Sequence, residues 1–248
     1  RLRSRGRKNP GPPLTFHDPE DFFRTLPFAP TGAQRKAVGQ AYADLCGGSR
    51  MNRLLQGDVG SGKTVVAAAC AWLAIQNGKQ AVMMAPTELL ARQHKATLEK
   101  FLGNLDIPVE LLISAMPAAE KRRVLARAQS GEPQVLCGTH ALIQNDVEIP
   151  NAALIVVDEQ HRFGVAQRAA LNQKTDRGHL LAMSATPIPR TLTLILYGDL
   201  DVSVLDELPP GRQPVMTRMV SEAKRQDMYG FLQKEIDAGG QAYIVCPL

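Results

Sequence analysis

A doubly wound α/β fold, a parallel sheet covered by helices on both faces, is predicted by three observations. Short runs that are apolar along their whole length alternate with longer stretches of helical period. One run feeds directly into GDVGSGKT (57–64), a glycine-rich turn ahead of a helix-forming stretch. Another, LIVV (154–157), stops abruptly at two adjacent carboxylates, Asp158 and Glu159. Strands apolar on both faces and separated by helices belong to parallel sheets buried on both sides.

The opening RLRSRGRKNPGPP is basic and then proline-rich, and residues 1–14 are expected to form a linker without a core of their own. The chain starts at Arg1 rather than Met and is expected to be cut from something longer. RLLQG (53–57) is the first strand, and KTVVAAACAWLAIQN the helix after the glycine-rich turn. Further strands are expected at 80–86 (QAVMMAP), 109–114 (VELLIS), 134–139 (QVLCGT), 153–159 (ALIVVDE), 179–185 (HLLAMSA) and 201–208 (DVSVLDEL). Between them TELLARQHKATLEKFL, PAAEKRRVLARAQ and RFGVAQRAALNQK carry helical period.

ELPPGRQP (207–214), with two prolines and a glycine, reads as a hinge. Strands at 213–220 and 241–247 then flank one helix, EAKRQDMYGFLQKEIDAG. Three elements cannot enclose a core. The expected organisation is one domain over 15–208, with a hinge and the start of a truncated second domain over 209–248.

The 248 residues, 44% hydrophobic and 21% charged, have the composition of an ordinary soluble globular protein. The four cysteines stand far apart without a CxxC pair, which suggests neither a zinc site nor a disulfide framework and leaves a reduced, cytoplasmic compartment as the default expectation. The longest apolar stretch, VVAAACAWLAI, is too short to span a bilayer, and the arginine-rich start leads into no apolar segment of a signal peptide. A net charge of +5 suits a polyanionic partner, or is simply a solvated basic surface.

The strongest chemical signal is GDVGSGKT, which fits G-x-x-x-x-G-K-[ST] between a strand and a helix. Gly57, Asp58, Val59, Gly60, Ser61 and Gly62 form a turn whose backbone N–H groups converge on a phosphate, aided by the helix N-terminus. Lys63 reaches the outer phosphates, and the Thr64 hydroxyl binds Mg²⁺. The acid pair then finds its explanation. Parallel strands ending at one edge bring their tips side by side, so Asp158 faces the Mg²⁺ while Glu159 orients or deprotonates a water aimed at the γ-phosphate.

GDVGSGKT, APTELLARQH (85–94), GTHALIQ (138–144), DEQH (158–161) and MSATPIPRTL (183–192) stand in the order of the superfamily 2 helicase motifs. Together with HRFGVAQR and YGDLDVSVLDELPPGR they resemble the RecG family of bacterial replication-fork remodelling helicases, over most of the chain from about Thr15. The resemblance implies a RecA-like domain, ATP and Mg²⁺ as cofactors, branched DNA as partner, a bacterial cytoplasmic setting and a monomer. It also implies roles by position. Gln34, in PFAPTGAQ, reads the adenine edge through its amide, with Phe28 packed near the ring. His161 with Ser184, Ala185 and Thr186 links nucleotide state to the DNA track, which is touched by Pro86, Thr87, Arg92, Thr139, His140 and Arg190. Family members carry an arginine finger in the second motor domain and a wedge domain upstream, neither of which falls within these residues. This stretch alone is therefore expected to hydrolyse ATP slowly and to unwind nothing. Trp72 is expected in the core rather than on a base.

Other readings stay open. The transcription-repair coupling translocase shares TPIPRTL but has GFGKT and DEEH where this chain has GSGKT and DEQH. A non-catalytic nucleic-acid-binding scaffold need not keep Lys63, Thr64, Asp158 and Glu159 together. A small-molecule kinase would not need the SAT and GTH segments, and only the closer resemblance favours DNA over RNA.

Overall fold

The computed structural model describes residues 10–144, 147–158, 178–185, 200–207 and 216–246. The chain divides into two compact units, Arg1–Pro210 and Gly211–Leu248. In the first, the strands are β1 (Asn52–Gly57), β2 (Gln80–Met84), β3 (Val109–Leu112), β4 (Val135–Gly138), β5 (Ala152–Asp158), β6 (His179–Ser184) and β7 (Asp201–Leu205). They form one seven-stranded sheet in the order β3-β4-β2-β5-β6-β1-β7, with every neighbouring pair parallel. The apolar runs thus locate all seven strands, but most stop short of the run's C-terminal end. Ala85 and Ile113 lie past the ends of β2 and β3 and stay fully buried, because an apolar run reports burial rather than pairing.

Helices α1 (Pro19–Phe23), α2 (Gly32–Leu45), α3 (Lys63–Gln76), α4 (Glu88–Leu102) and α5 (Ala118–Gln129) cover this sheet. Along β5 the side chains alternate: Leu154 and Val156 join the core under α1 to α4, while Ile155 and Val157 join the core under α5. Every residue of α3 from Val65 to Ala74 is buried. Its alanines let α2, α4 and the sheet approach from all sides, as suits a helix apolar around its whole girth. Trp72 is core, 5% exposed, with its ring 6.2 Å from Phe22 and 6.1 Å from His17.

Two helices were not anticipated from periodicity. The buried face of α2 is built largely from Ala33, Ala37, Val38 and Ala41, whose small side chains give a weak pattern. The start of α2 was nevertheless written in the chain. Thr31 accepts the Gln34 N–H at 3.2 Å, and the Gln34 side chain accepts the Thr31 N–H at 2.9 Å, a capping box. The predicted helix over 162–174 lies outside the described residues.

The second unit holds one α-helix among its described residues, α6 (Arg225–Asp237), and none of its described residues is buried. The strands expected over 213–220 and 241–247 are not found: the described residues 216–220 and 241–246 pair with nothing as strands. A pair of strands by itself is marginal in water, and no described residue of this unit is buried to support one.

The expected linker also needs correction, because from Pro10 onward it is docked. Pro10 bridges Ser49, Leu14 is 4% exposed, and Asn77 clasps the backbone of Thr15 from both sides at 2.7 and 3.0 Å. At the N-terminal edge of the sheet, fully buried His179 accepts the Met51 N–H through Nδ1 at 3.0 Å and donates through Nε2 to Pro12 O at 2.8 Å. The ring is therefore neutral, and burial holds its pKa below the ordinary 6.5. Protonation would break the Met51 bond, so the unfolded chain binds this proton more readily than the folded one. The contribution to stability is present above about pH 6.5 and is lost as pH falls below it. Thermal melts between pH 7.5 and 5.5 should show the midpoint falling with acidification, and falling less steeply in a His179→Gln variant.

Candidate functional site

Because all strands run one way, the loops after β1, β2, β4, β5 and β6 emerge along one edge, where ligands bind in such sheets. The glycine-rich loop joins β1 to α3. Its Ser61 N–H donates to Asp58 O at 3.1 Å, and Gly62, at φ 84°, turns the chain into α3 without a side-chain cap. Lys63 Nζ closes across the loop, donating to Gly57 O at 2.6 Å and Asp58 O at 3.0 Å. Ser61 is 1% exposed and its Oγ finds no partner among the described residues.

The acid does not stand directly beside this loop. β6 lies between β1 and β5, with Met183 opposite both Leu55 and Asp158. The two tips are thus two strand spacings apart, roughly 10 Å. Side-by-side tips, as expected from sequence, would leave no width for a phosphate chain. Between them opens a cavity of about 820 Å³, lined among others by Phe28, Gln34, Lys63, Thr64, His94 and Asp158.

Gln34 is 2% exposed and already engaged: besides capping α2, its Nε2 donates to Ser61 O at 2.9 Å. An amide carries two N–H donors and two acceptor lone pairs, so one of each is left to offer a base. Phe28, 43% exposed, stacks edge-on against Phe101 with centroids 5.8 Å apart and walls the same cavity. Thr64 and Asp158 contribute hard oxygen ligands of the kind Mg²⁺ takes, and Mg²⁺ characteristically relies on few protein ligands plus phosphates and water. Among the described residues no cluster of three or more His, Cys, Asp or Glu side chains could hold a metal unaided. Cys70 and Cys137 are fully buried, and burial pushes both thiols up to about 12.

Asp158 is 8% exposed, and its Oδ2 lies 2.7 Å from Nε2 of His94. By alternation along β5 it points to the same face as Val156, the face covered by α4. No role for His94 was read from the sequence. The available signal was its spacing: Leu90, His94, Thr97 and Phe101 form one stripe of α4, and all four line the cavity.

Pro86, Thr87 and Arg92 follow β2, and Thr139 and His140 follow β4, all on the same edge as the cavity. Thr87, Arg92 and His140 are exposed, and Thr87 caps α4 by accepting the Leu90 N–H at 3.3 Å. Thr139 is 2% exposed, so its hydroxyl faces the interior, whereas His140 is exposed at the same edge. Ser184 sits buried at the tip of β6, with Ala185 lining the cavity. Glu159, His161, Thr186 and Arg190 lie outside the described residues.

Residues 31–195 match the DEAD/DEAH box helicase family, and the chain belongs to that family. Within it the likeness is to ATP-dependent DNA helicase RecG. The chain is 50% identical to the Synechocystis sp. protein of that name over 228 residues, spanning 92% of this chain and 27% of the relative. To the Bacillus subtilis protein it is 46% identical over 227 residues, 92% of this chain and 33% of the relative. A solved structure of RecG bound to a three-way DNA junction aligns with a TM-score of 0.85 and 43% identity, covering 97% of this chain and 33% of that one. The helicase domain of Pyrococcus furiosus Hef shares the fold alone, at TM-score 0.52 and 19% identity over 70% of this chain and 38% of that one. The resemblance carried by the motifs and the RecA-like sheet are both borne out. The chain spans only 27% and 33% of the length of these two relatives. Among its described residues no helix is long and apolar enough to cross a membrane.

Gly62 tests the loop most directly, since a Cβ there would collide with the Gln34 amide as well as sit at positive φ. Gly62→Ala should cost at least about 1–2 kcal/mol from backbone conformation alone. Urea denaturation would show this as a lower midpoint with an unchanged slope.

Proposed function

We propose that the chain is the nucleotide-binding motor part of an ATP-dependent DNA helicase that translocates on DNA and remodels branched junctions such as stalled forks and Holliday junctions. Residues 15–208 act as the first RecA-like motor domain, and 209–248 as hinge and part of the second. The observation that carries the reading is the convergence of the glycine-rich loop, Gln34 and Asp158 on one cavity at the strand tips. The likeness to RecG, whose solved structure is bound to a three-way DNA junction, supports DNA as the track.

In this reading the Lys63 ammonium exchanges the carbonyls of Gly57 and Asp58 for the outer phosphates, and loop N–H groups bind the remaining phosphate oxygens. Gln34 offers its spare donor and acceptor to adenine, whose ring rests in the recess of Phe28 and Phe101. Mg²⁺, held by Thr64 and Asp158, neutralises phosphate charge when bound. Glu159 orients the attacking water, and His161, Ser184 and Thr186 relay the state of the site to the strand lying over Thr87, Arg92 and His140. Phosphates positioned by small polar groups are gripped without sequence reading, as a motor requires.

Fluorescent-nucleotide titration tests the binding role. The chain should take up Mg·ATP, and Lys63→Ala should weaken uptake tenfold or more, on the order of 1.4 kcal/mol. In the longer protein Glu159→Gln should bind ATP but abolish junction-stimulated hydrolysis in a phosphate-release assay. Retained turnover would remove Glu159 from the mechanism.

A further inference from the structure

One side chain of the cavity has no part in the roles above. His94 stands two turns into α4, on the stripe with Leu90, Thr97 and Phe101, and places Nε2 2.7 Å from Oδ2 of Asp158. Both side chains are 12% exposed, so water competes weakly for the bond. A carboxylate that is to hold a cation must be ionised, and then it only accepts; Nε2 therefore donates. The bond uses one carboxylate oxygen, and a carboxylate has a second to present to a ligand.

We infer that His94 is the positioning residue of the metal-binding acid: by donating from Nε2 it locks the Asp158 carboxylate in the orientation that meets a nucleotide-bound divalent cation. The inference rests on the motor reading above, which makes Asp158 a metal ligand. The physical need is plain. The terminal torsion of an aspartate is broad, so an untethered carboxylate samples many orientations. A charge-assisted bond from a side chain anchored on a packed helix narrows that range before the cation arrives. The anchoring is visible in α4, whose Ala91, Leu98 and Leu102 are buried at 0%, 1% and 0% exposure. Ligating carboxylates held in this way typically lose about 10–100-fold in metal affinity when the holding group is removed.

The acid's backbone is set by the sheet and its side chain by α4, so the cation site is built from two elements far apart in sequence. α4 is also the helix that Thr87 caps at the nucleic-acid edge. A shift of α4 along its axis would move the His94 donor relative to the acid.

The test uses the chain with Mn²⁺ as probe, read by electron paramagnetic resonance in the presence of ATP, alongside fluorescent-nucleotide binding without metal. His94→Leu keeps the volume and removes the donor; His94→Gln keeps a donor at the Nε2 position. His94→Leu should weaken Mn²⁺ binding in the ternary complex by about 10–100-fold, a far larger factor than any change it makes to metal-free nucleotide binding, which the glycine-rich loop governs. His94→Gln should restore most of the Mn²⁺ affinity. Wild-type Mn²⁺ affinity in His94→Leu, or a His94→Gln as weak as His94→Leu, would overturn the inference. Failure of the motor reading has a different signature: the unsubstituted chain would then bind nucleotide with no dependence on metal, or not at all, and the inference would fall with it.

Discussion

Parallel pairing of β6 between β1 and β5 sets the width across which the glycine-rich loop and Asp158 face one another. Nearly everything at the site follows from that spacing. Adjacent strands are held about 4.8 Å apart by their hydrogen bonds, too close for a phosphate chain to lie between two tips. One interposed strand doubles the distance, and Met183 of β6 with Ala185 just beyond it lines the space between, residues that bring no competing charge. The register matters as much as the order. A slip of one residue in β5 would turn Asp158 to the face of α5 and carry it away from α4 and the loop.

The same direction of all strands divides the sheet into two edges with different duties. The C-terminal edge gathers the cavity and the exposed residues Thr87, Arg92 and His140. The N-terminal edge is closed by structure: Pro10 to Thr15 is strapped across it, secured by His179 and Asn77. Elsewhere, Glu110 on edge strand β3 is gripped by Arg123 at 2.9 and 3.0 Å and by Arg127 at 3.2 Å. Near the opposite edge, Arg53 ties β1 to Asp44 of α2 and to Ser203 of β7. These polar pairs keep the sheet margins and their covering helices in register while the working edge stays accessible.

Helix termini connect the parts of the working edge. Gln34 belongs simultaneously to the cap of α2 and to the loop before α3, so a base recognised by its amide would be felt at the phosphate loop. Glu207, from the segment after β7, accepts the Ala33 N–H at 3.1 Å and adds a negative charge where the α2 dipole favours one. α4 begins at an exposed cap and reaches the acid through His94 two turns later. The cavity is therefore bounded by elements that each have a second attachment elsewhere in the domain.

Much of this was legible in the chain because it is local. The seven apolar runs marked the strands, and GDVGSGKT and the abrupt end of LIVV at Asp158 marked the site, since a tight turn and a charge at a strand end leave their residue types at fixed spacing. The capping box of α2 was equally local and went unread, masked by an alanine-rich face. Strand order was not legible: which run lies between β1 and β5 depends on how crossover helices pack over the whole sheet. Nor was the burial of Thr139, or the pairing of His94 with Asp158 across 64 residues of sequence. Residue chemistry and local periodicity determined the seven strands of the sheet and where along the chain the site lies. Only tertiary packing decided which side chains meet, because those meetings are made by non-local contacts that no short segment can encode.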